Sequence, residues 1–126
     1  MKGHPILKGC VLAGVLLLAA CGGGSGSGNT SSGGQTITVG TDTGANLKFD
    51  PTTVEAPANT DIQLVFDNKS TTQPHNLVFQ GDITAKTSTL VMPGKSETLS
   101  FKTPAAGTYN FVCTIHPGMT GQLVVK

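Results

Sequence analysis

Three side chains that bind soft metals lie within seven residues near the carboxyl end of the chain. Cys113, His116 and Met119 carry a thiol, an imidazole and a thioether, and two residues separate each from the next. A single loop with this spacing can turn all three side chains toward one point. Two imidazoles, one thiolate and a weakly bound axial thioether are the donor set of blue copper sites. The motif Cys-x2-His-x2-Met therefore indicates a copper site that still lacks one imidazole.

The second imidazole of such a site has one candidate. The chain contains three histidines, and His4 lies in a leader that we expect to be removed, which leaves His75 and His116. The predicted metal ligands are therefore His75, Cys113, His116 and Met119. Zinc fits this set less well, because structural zinc sites use four Cys or His ligands. A Cys–His nucleophile would need a third residue to orient the imidazole, and the loop supplies no carboxylate or amide for that purpose.

Each of these side chains also has an ordinary structural interpretation. Taken singly, Met119 or Cys113 is more often part of a hydrophobic core, and His75 is more often a surface histidine. A disulfide between Cys113 and Cys10 or Cys21 is another interpretation. If Cys10 is cleaved off and Cys21 is lipidated, however, Cys113 is a lone thiol in an exported protein, and copper ligation explains its presence.

The amino-terminal residues have the pattern of an export signal. Lys2 and Lys8 supply positive charge, and the apolar run that follows is about 12 residues long, too short to span a membrane as a helix. The run ends in Leu18-Ala19-Ala20-Cys21, which resembles the lipobox of bacterial lipoproteins. We therefore expect residues 1–20 to be a lipoprotein signal peptide and Cys21 to be lipidated. An ordinary cleavage site beside an unrelated cysteine is the alternative.

Composition divides the rest of the chain into a tether and a domain. Residues 22–34 are only Gly, Ser, Asn and Thr, which cannot form a core, so 21–34 is expected to be a flexible linker behind the lipidated cysteine. Residues 35–126 are expected to fold as one domain. This organisation predicts a protein of the bacterial cell envelope, anchored to the membrane and facing the periplasm or the exterior. The net charge of +1 gives no electrostatic case for nucleic acid binding.

Residues 35–126 show the alternation of short β-strands. Apolar side chains recur at every second position, as at Ile62, Leu64 and Phe66, and turns containing Pro or Gly separate the runs. Seven or eight such strands without a helical period predict an all-β domain, a Greek-key antiparallel β-sandwich. Residues 82–92 are the exception, because a strand, a loop and a helical turn all fit their sequence.

The same alternation predicts where two of the ligands lie in the sandwich. His75 shares a strand face with Leu77 and Phe79, and Cys113 shares one with Phe111. If these faces point into the core, both ligands lie at its rim, at the ends of strands. Side chains on strands keep a metal geometry better than side chains on long loops do.

The candidate ligands lie in three recognisable segments. These are Pro74-His75-Asn76, residues 107–113 (GTYNFVC) and the Cys-x2-His-x2-Met loop. Together they resemble the cupredoxins, the family of small blue copper proteins that includes plastocyanin, pseudoazurin and amicyanin, and the resemblance covers 35–126. It implies a single type 1 copper ion held by the four predicted ligands. It also implies that Asn76 ties the two ligand-bearing loops together by hydrogen bonds, which orient the ligands and tune the metal.

The resemblance implies an electron carrier rather than an enzyme. Four protein ligands leave no coordination position for a substrate, so the expected function is outer-sphere transfer of single electrons between redox partners. Electrons would pass through the exposed edge of His116, with Pro117, Gly118 and Met119 forming an apolar docking patch around it for redox proteins. The chain is expected to act as a monomer. A copper chaperone or storage protein with the same ligands is the alternative.

Overall fold

A computed structural model of the protein describes residues 34–44 and 46–126. The predicted signal peptide (1–20), Cys21 and all of the predicted linker except Gly34 lie outside the described residues. Within those residues the secondary structure consists of strands, bridges and turns. The part of the chain that is described contains no helix long and apolar enough to cross a bilayer.

Eight strands form two four-stranded sheets, which agrees with the seven or eight strands that the sequence predicts. In chain order they are β1 Gln35–Thr41, β2 Phe49–Asp50, β3 Thr53–Ala56, β4 Asp61–Asp67, β5 Val78–Phe79, β6 Ser96–Lys102, β7 Gly107–Val112 and β8 Thr120–Val125. One sheet has the order β2-β1-β4-β6 and the other has the order β3-β8-β7-β5. The domain is therefore the predicted all-β sandwich.

Two strand pairs differ from the antiparallel pairing that the sequence predicts. β1 pairs in parallel with β4, and β3 pairs in parallel with β8, whereas the other neighbours are antiparallel. Between β1 and β4 the chain passes through β2 and then through β3 in the other sheet. A strand that returns to its sheet after such a crossover is not joined to its neighbour by a hairpin, so it is free to pair in parallel.

The core is built from the alternating apolar side chains. Ile62, Leu64 and Phe66 on β4 are buried, as their spacing predicts. Phe111 on β7 is fully buried and packs edge to face on Phe49, with ring centroids 4.9 Å apart. Burial of one such side chain contributes about 1.5–3 kcal/mol. Because β7 ends one residue after Phe111, this packing anchors the strand end from which the metal-binding loop leaves.

The residue paired with Phe111 on the neighbouring strand must lack a side chain. Gly121 on β8 pairs directly with Phe111 on β7. A Cβ atom built at Gly121 would overlap the Phe111 ring. The ring of Phe111 therefore occupies the space that any larger residue at position 121 would need, which is a common reason for glycine inside a strand.

The ambiguous segment 82–92 is neither a helix nor a continuous strand. It is joined to the strand region before it by two isolated bridges, Val78 with Lys86 and His75 with Val91. The amide of Ser88 also donates a hydrogen bond to the Glu97 carboxylate at 2.8 Å. The named strand next to it, β5, is only two residues long, so His75 is held by a bridge rather than by the longer strand that its alternation predicts.

Candidate metal centre

Cys113 directly follows β7 and is held by hydrogen bonds from two directions. Its amide donates to the carbonyl oxygen of Met119 at 3.0 Å. Its sulfur accepts the amide hydrogen of Asn76 at 3.5 Å. The side chain is 3% exposed, and within the described residues Cys113 is a free thiol. The thiol is thus fixed at the rim of the core, at the strand end where the alternation predicts it.

The loop after Cys113 folds back through a tight turn. The Met119 amide donates to the His116 carbonyl oxygen at 3.1 Å, and Pro117 and Gly118 are the two central residues of that turn. Gly118 has φ = +89°. Proline at the first central position and glycine with positive φ at the second are the signature of a type II turn. The turn brings Met119 back beside Cys113 and leaves His116 at its start.

His75 approaches from the other ligand-bearing segment. Its amide and carbonyl both bond to Val91, at 3.1 and 2.8 Å, so the main chain of His75 is fixed on both sides. The side chain is 2% exposed. Burial lowers the pKa of His75, and the nearby His116 lowers it further. The lowered pKa favours the neutral imidazole, which is the form that binds a metal.

The three strong donors converge, although His75 is distant from the others in sequence. The Nδ1 atoms of His75 and His116 are 3.1 Å apart, and the Cys113 sulfur lies 3.9 and 3.5 Å from them. All three atoms lie within 4.8 Å of one another. From these distances, the centre of the triangle lies about 2 Å from each atom, close to typical metal–imidazole and metal–thiolate bond lengths of about 2.0–2.3 Å. The donors therefore already surround a space of the size of one metal ion.

Met119 belongs to the interior of this site. Its side chain is 1% exposed and packs in the same core cluster as Cys113. Its main chain is bonded to both Cys113 and His116. The prediction that Met119 contributes to an apolar docking surface is therefore wrong, because a side chain buried to this extent cannot touch a partner. Its position instead suits the weak thioether ligand of the predicted set.

Asn76 makes the connections that the resemblance implies. Its side-chain oxygen accepts the Thr114 amide at 2.8 Å, and its side-chain nitrogen donates to the Thr114 hydroxyl at 2.7 Å and to the Thr89 carbonyl at 3.1 Å. Asn76 thus ties together the His75 segment, the Cys113 loop and the segment 82–92. The participation of Thr114 and Thr89 was not predicted, because an isolated threonine in a loop gives no sequence signal of such a role.

The donor set and its surroundings fit copper. Two imidazoles, a thiolate and a thioether form the combination typical of blue copper sites, whereas a thioether is not among the usual zinc ligands. The main chains of Cys113 and His75 are held by backbone bonds to Met119 and Val91. The remaining predicted functional residue, Cys21, lies outside the described residues.

Comparisons with known proteins agree with this site. A family model described as a cupredoxin-like domain matches residues 10–125. Auracyanin-A of Chloroflexus aurantiacus is 32% identical over an alignment that covers 88% of this chain and 90% of that protein. Its sequence therefore aligns with nearly the whole chain and not with the site alone.

Solved structures give the same result for the described domain. Reduced auracyanin from Roseiflexus castenholzii is 31% identical with a TM-score of 0.64, covering 73% of this chain and 97% of that one. Auracyanin A of Chloroflexus aurantiacus, described as a "blue" copper protein, is 27% identical with a TM-score of 0.63, covering 72% and 98% of the two chains. By its family-model match, its fold and its donor set, the chain belongs to the cupredoxin family.

Proposed function

We propose that this protein is a blue copper electron carrier, in which His75, Cys113, His116 and Met119 hold one copper ion. The observation that carries the proposal is the convergence of three donor atoms around a point about 2 Å from each, the distance of a metal–ligand bond. The likeness to auracyanin A, described as a blue copper protein, supports the same function.

The protein supplies a rigid, closed binding site for this chemistry. A bound copper ion supplies a one-electron couple between Cu(I) and Cu(II). Main-chain bonds at Cys113 and His75 would hold both donors in place around the ion, which would limit rearrangement of the site during electron transfer. All four donors are protein side chains, so no coordination position is left at the metal for a substrate. The chain acts as a carrier.

His116 is the proposed point of electron entry and exit. It is half-buried, whereas the side chains of the other three donors are at most 3% exposed. Pro117 and Gly118 are exposed beside it, and Leu47, 43% exposed, lines a cleft of about 300 Å³ that His116 also lines. A redox protein would dock on this uncharged surface through a small interface, which suits short encounters.

Cys21 is the proposed membrane anchor. Acyl chains on this residue would hold the domain at the cell envelope through a linker with a root-mean-square reach of roughly 20 Å. We expect Cys21→Ser to move the protein from the membrane fraction to the soluble fraction when it is expressed in a bacterium that processes lipoproteins. Cys10→Ser, the same change inside the predicted signal peptide, should leave it in the membrane fraction. A Cys21→Ser protein that stays with the membranes would contradict lipidation.

The proposed function predicts a visible signal on metal addition. Titration of the metal-free protein with Cu(II) should produce an intense blue absorption that saturates at one copper per chain, because a thiolate bound to Cu(II) absorbs strongly. Ascorbate should bleach the colour and ferricyanide should restore it, since the copper remains bound in both states. A protein that stays colourless with Cu(II) would refute the proposal.

Copper carriage, the alternative function, would use the same ligands differently. A protein that delivers copper must release it, so an open site is expected, yet Cys113, His75 and Met119 are all buried. Competition of the reduced, bleached protein with a Cu(I) chelator separates the two functions. Slow loss of copper agrees with the electron carrier, and rapid, complete loss would favour delivery.

A further inference from the structure

Asn68 is a fully buried polar residue directly after β4, and every hydrogen-bonding capacity of its side chain is used. Its side-chain oxygen accepts hydrogen bonds from the Thr41 hydroxyl at 3.3 Å and from the Ser70 amide at 3.1 Å. Its side-chain nitrogen donates to the carbonyl oxygens of Gln73 and Val91, at 2.9 and 2.8 Å. An amide has two acceptor and two donor positions, so this set of four bonds is complete.

Both carbonyl oxygens that Asn68 binds belong to the support of His75. The Val91 carbonyl also accepts the His75 amide at 3.1 Å, so Asn68 and His75 share one acceptor atom. Gln73 lies two residues before His75 and is joined to it by Pro74, whose ring restricts the backbone. Asn68 therefore holds the His75 segment at a point before the ligand and at a point across from it.

We infer that Asn68 is a positioning residue for the metal site, which fixes the main chain of His75 in its ligating position before copper arrives. Its role differs from that of Asn76, which ties the His75 segment to the Cys113 loop, because Asn68 ties the same segment to β1 and to Val91. The inference deepens the proposed function and rests on it for the assignment of His75 as a ligand.

Asn68→Asp tests the role with almost no change of shape. The substitution replaces the donor nitrogen, which has two hydrogens, by a carboxyl oxygen that faces the Gln73 and Val91 carbonyl oxygens. A carboxyl group can donate at most one hydrogen bond, and only when it is protonated, so at least one of the two supporting bonds is lost. Thr41→Val is the matched control. It removes another buried polar group of the same network, at 1% exposure, and leaves both bonds of the Asn68 side-chain nitrogen intact.

The first measurement is amide hydrogen exchange on the metal-free full chain. In the wild type the His75 and Val91 amides should be protected like those of the β4–β6 ladder, because both donate to backbone carbonyl oxygens of the protein itself. Asn68→Asp should reduce their protection by about tenfold, the effect of losing about one hydrogen bond of support, while Thr41→Val should not. Wild-type amides that exchange as fast as exposed loop amides would overturn the inference.

The second measurement is the Cu(II) affinity and the spectrum of the loaded protein. Loss of a residue that orients a ligand typically lowers metal affinity about 10- to 100-fold, and we expect this for Asn68→Asp together with altered copper hyperfine splitting in the electron paramagnetic resonance spectrum. Thr41→Val should keep the wild-type affinity and spectrum. Equal effects of the two substitutions would reduce Asn68 to a general stabilising role and overturn the inference.

If Asn68→Asp does not fold, Asn68→Ser, which removes the amide donors without adding a charge, takes its place under the same criteria.

Two outcomes distinguish a failure of the inference from a failure of the proposed function. A wild-type protein that does not turn blue with Cu(II) contradicts the proposed function and removes His75 as a ligand. A blue wild type whose His75 exchange and spectrum are unchanged in the Asn68 variants contradicts only the inference.

Discussion

Replacing Cys113 by serine should abolish the blue absorption of the copper-loaded protein and lower its Cu(II) affinity by more than about 100-fold, since even residues that only orient a ligand cost about 10- to 100-fold. The colour depends on a sulfur–copper bond, which a hydroxyl cannot replace. The fold should survive, because Cys113 is anchored through its backbone and a serine oxygen can still accept the Asn76 amide. Visible absorption during Cu(II) titration, with circular dichroism of the metal-free protein, measures both effects.

The chain supplies a matched control for this substitution. Cys21→Ser makes the same chemical change at a cysteine outside the described residues and should leave the colour and the affinity unchanged. A Cys113→Ser protein that still turns blue would refute the thiolate assignment. Loss of the colour in Cys21→Ser alone would transfer the assignment to that cysteine.

Replacing His116 by glycine should also remove the blue absorption, and added imidazole should restore it. His116 is half-buried at the start of an exposed turn, so its removal opens the site to solvent. A small imidazole from solution can then reach the position of the lost ring, while His75, Cys113 and Met119 keep theirs. Titration of the copper-loaded variant with imidazole, followed by visible absorption, measures the restoration.

His75→Gly provides the contrast that tests the exposure argument. His75 is 2% exposed, whereas His116 is half-buried, and both line the cleft beside Leu47. The space left by the His75 ring is therefore less open to solvent, and external imidazole should restore less colour at the same concentration than in His116→Gly. Unchanged spectra in His116→Gly would remove His116 from the ligand set. Equal restoration in the two variants would contradict the proposal that His116 is the exposed edge of the site.

Local sequence determined the metal-binding loop, the buried face of β4 and the kind of metal that the donors bind. The spacing of Cys113, His116 and Met119 is a property of one short loop, and Pro117-Gly118 specifies the type II turn that folds it. The period-two alternation identified the buried face of β4, because neighbouring side chains of a strand point to opposite faces whatever the rest of the fold does. The donor chemistry alone indicated copper.

Arrangements between distant segments could not be predicted from such local signals. Parallel pairing of β1 with β4 depends on a crossover between sheets, and the sequence of neither strand indicates which strand it pairs with. The burial of Met119 depends on the core around it, so the loop sequence did not show that its side chain is inaccessible to a docking partner. Segment 82–92 is defined by bridges to other segments and by the Ser88–Glu97 bond, and not by a period of its own.

The sequence by itself determined which donor atoms are available to bind the metal, and the tertiary structure brings those atoms together at one site. His75 was selected only because the chain has few histidines. Its position 3.1 Å from His116 results from the pairing of β5 with β7 and from the bonds between Asn76 and Thr114. Asn68 gave no signal at all, because an asparagine after a strand looks like an ordinary turn residue. Its role follows from the shared Val91 carbonyl, a contact that exists only once segments far apart in the chain are brought together.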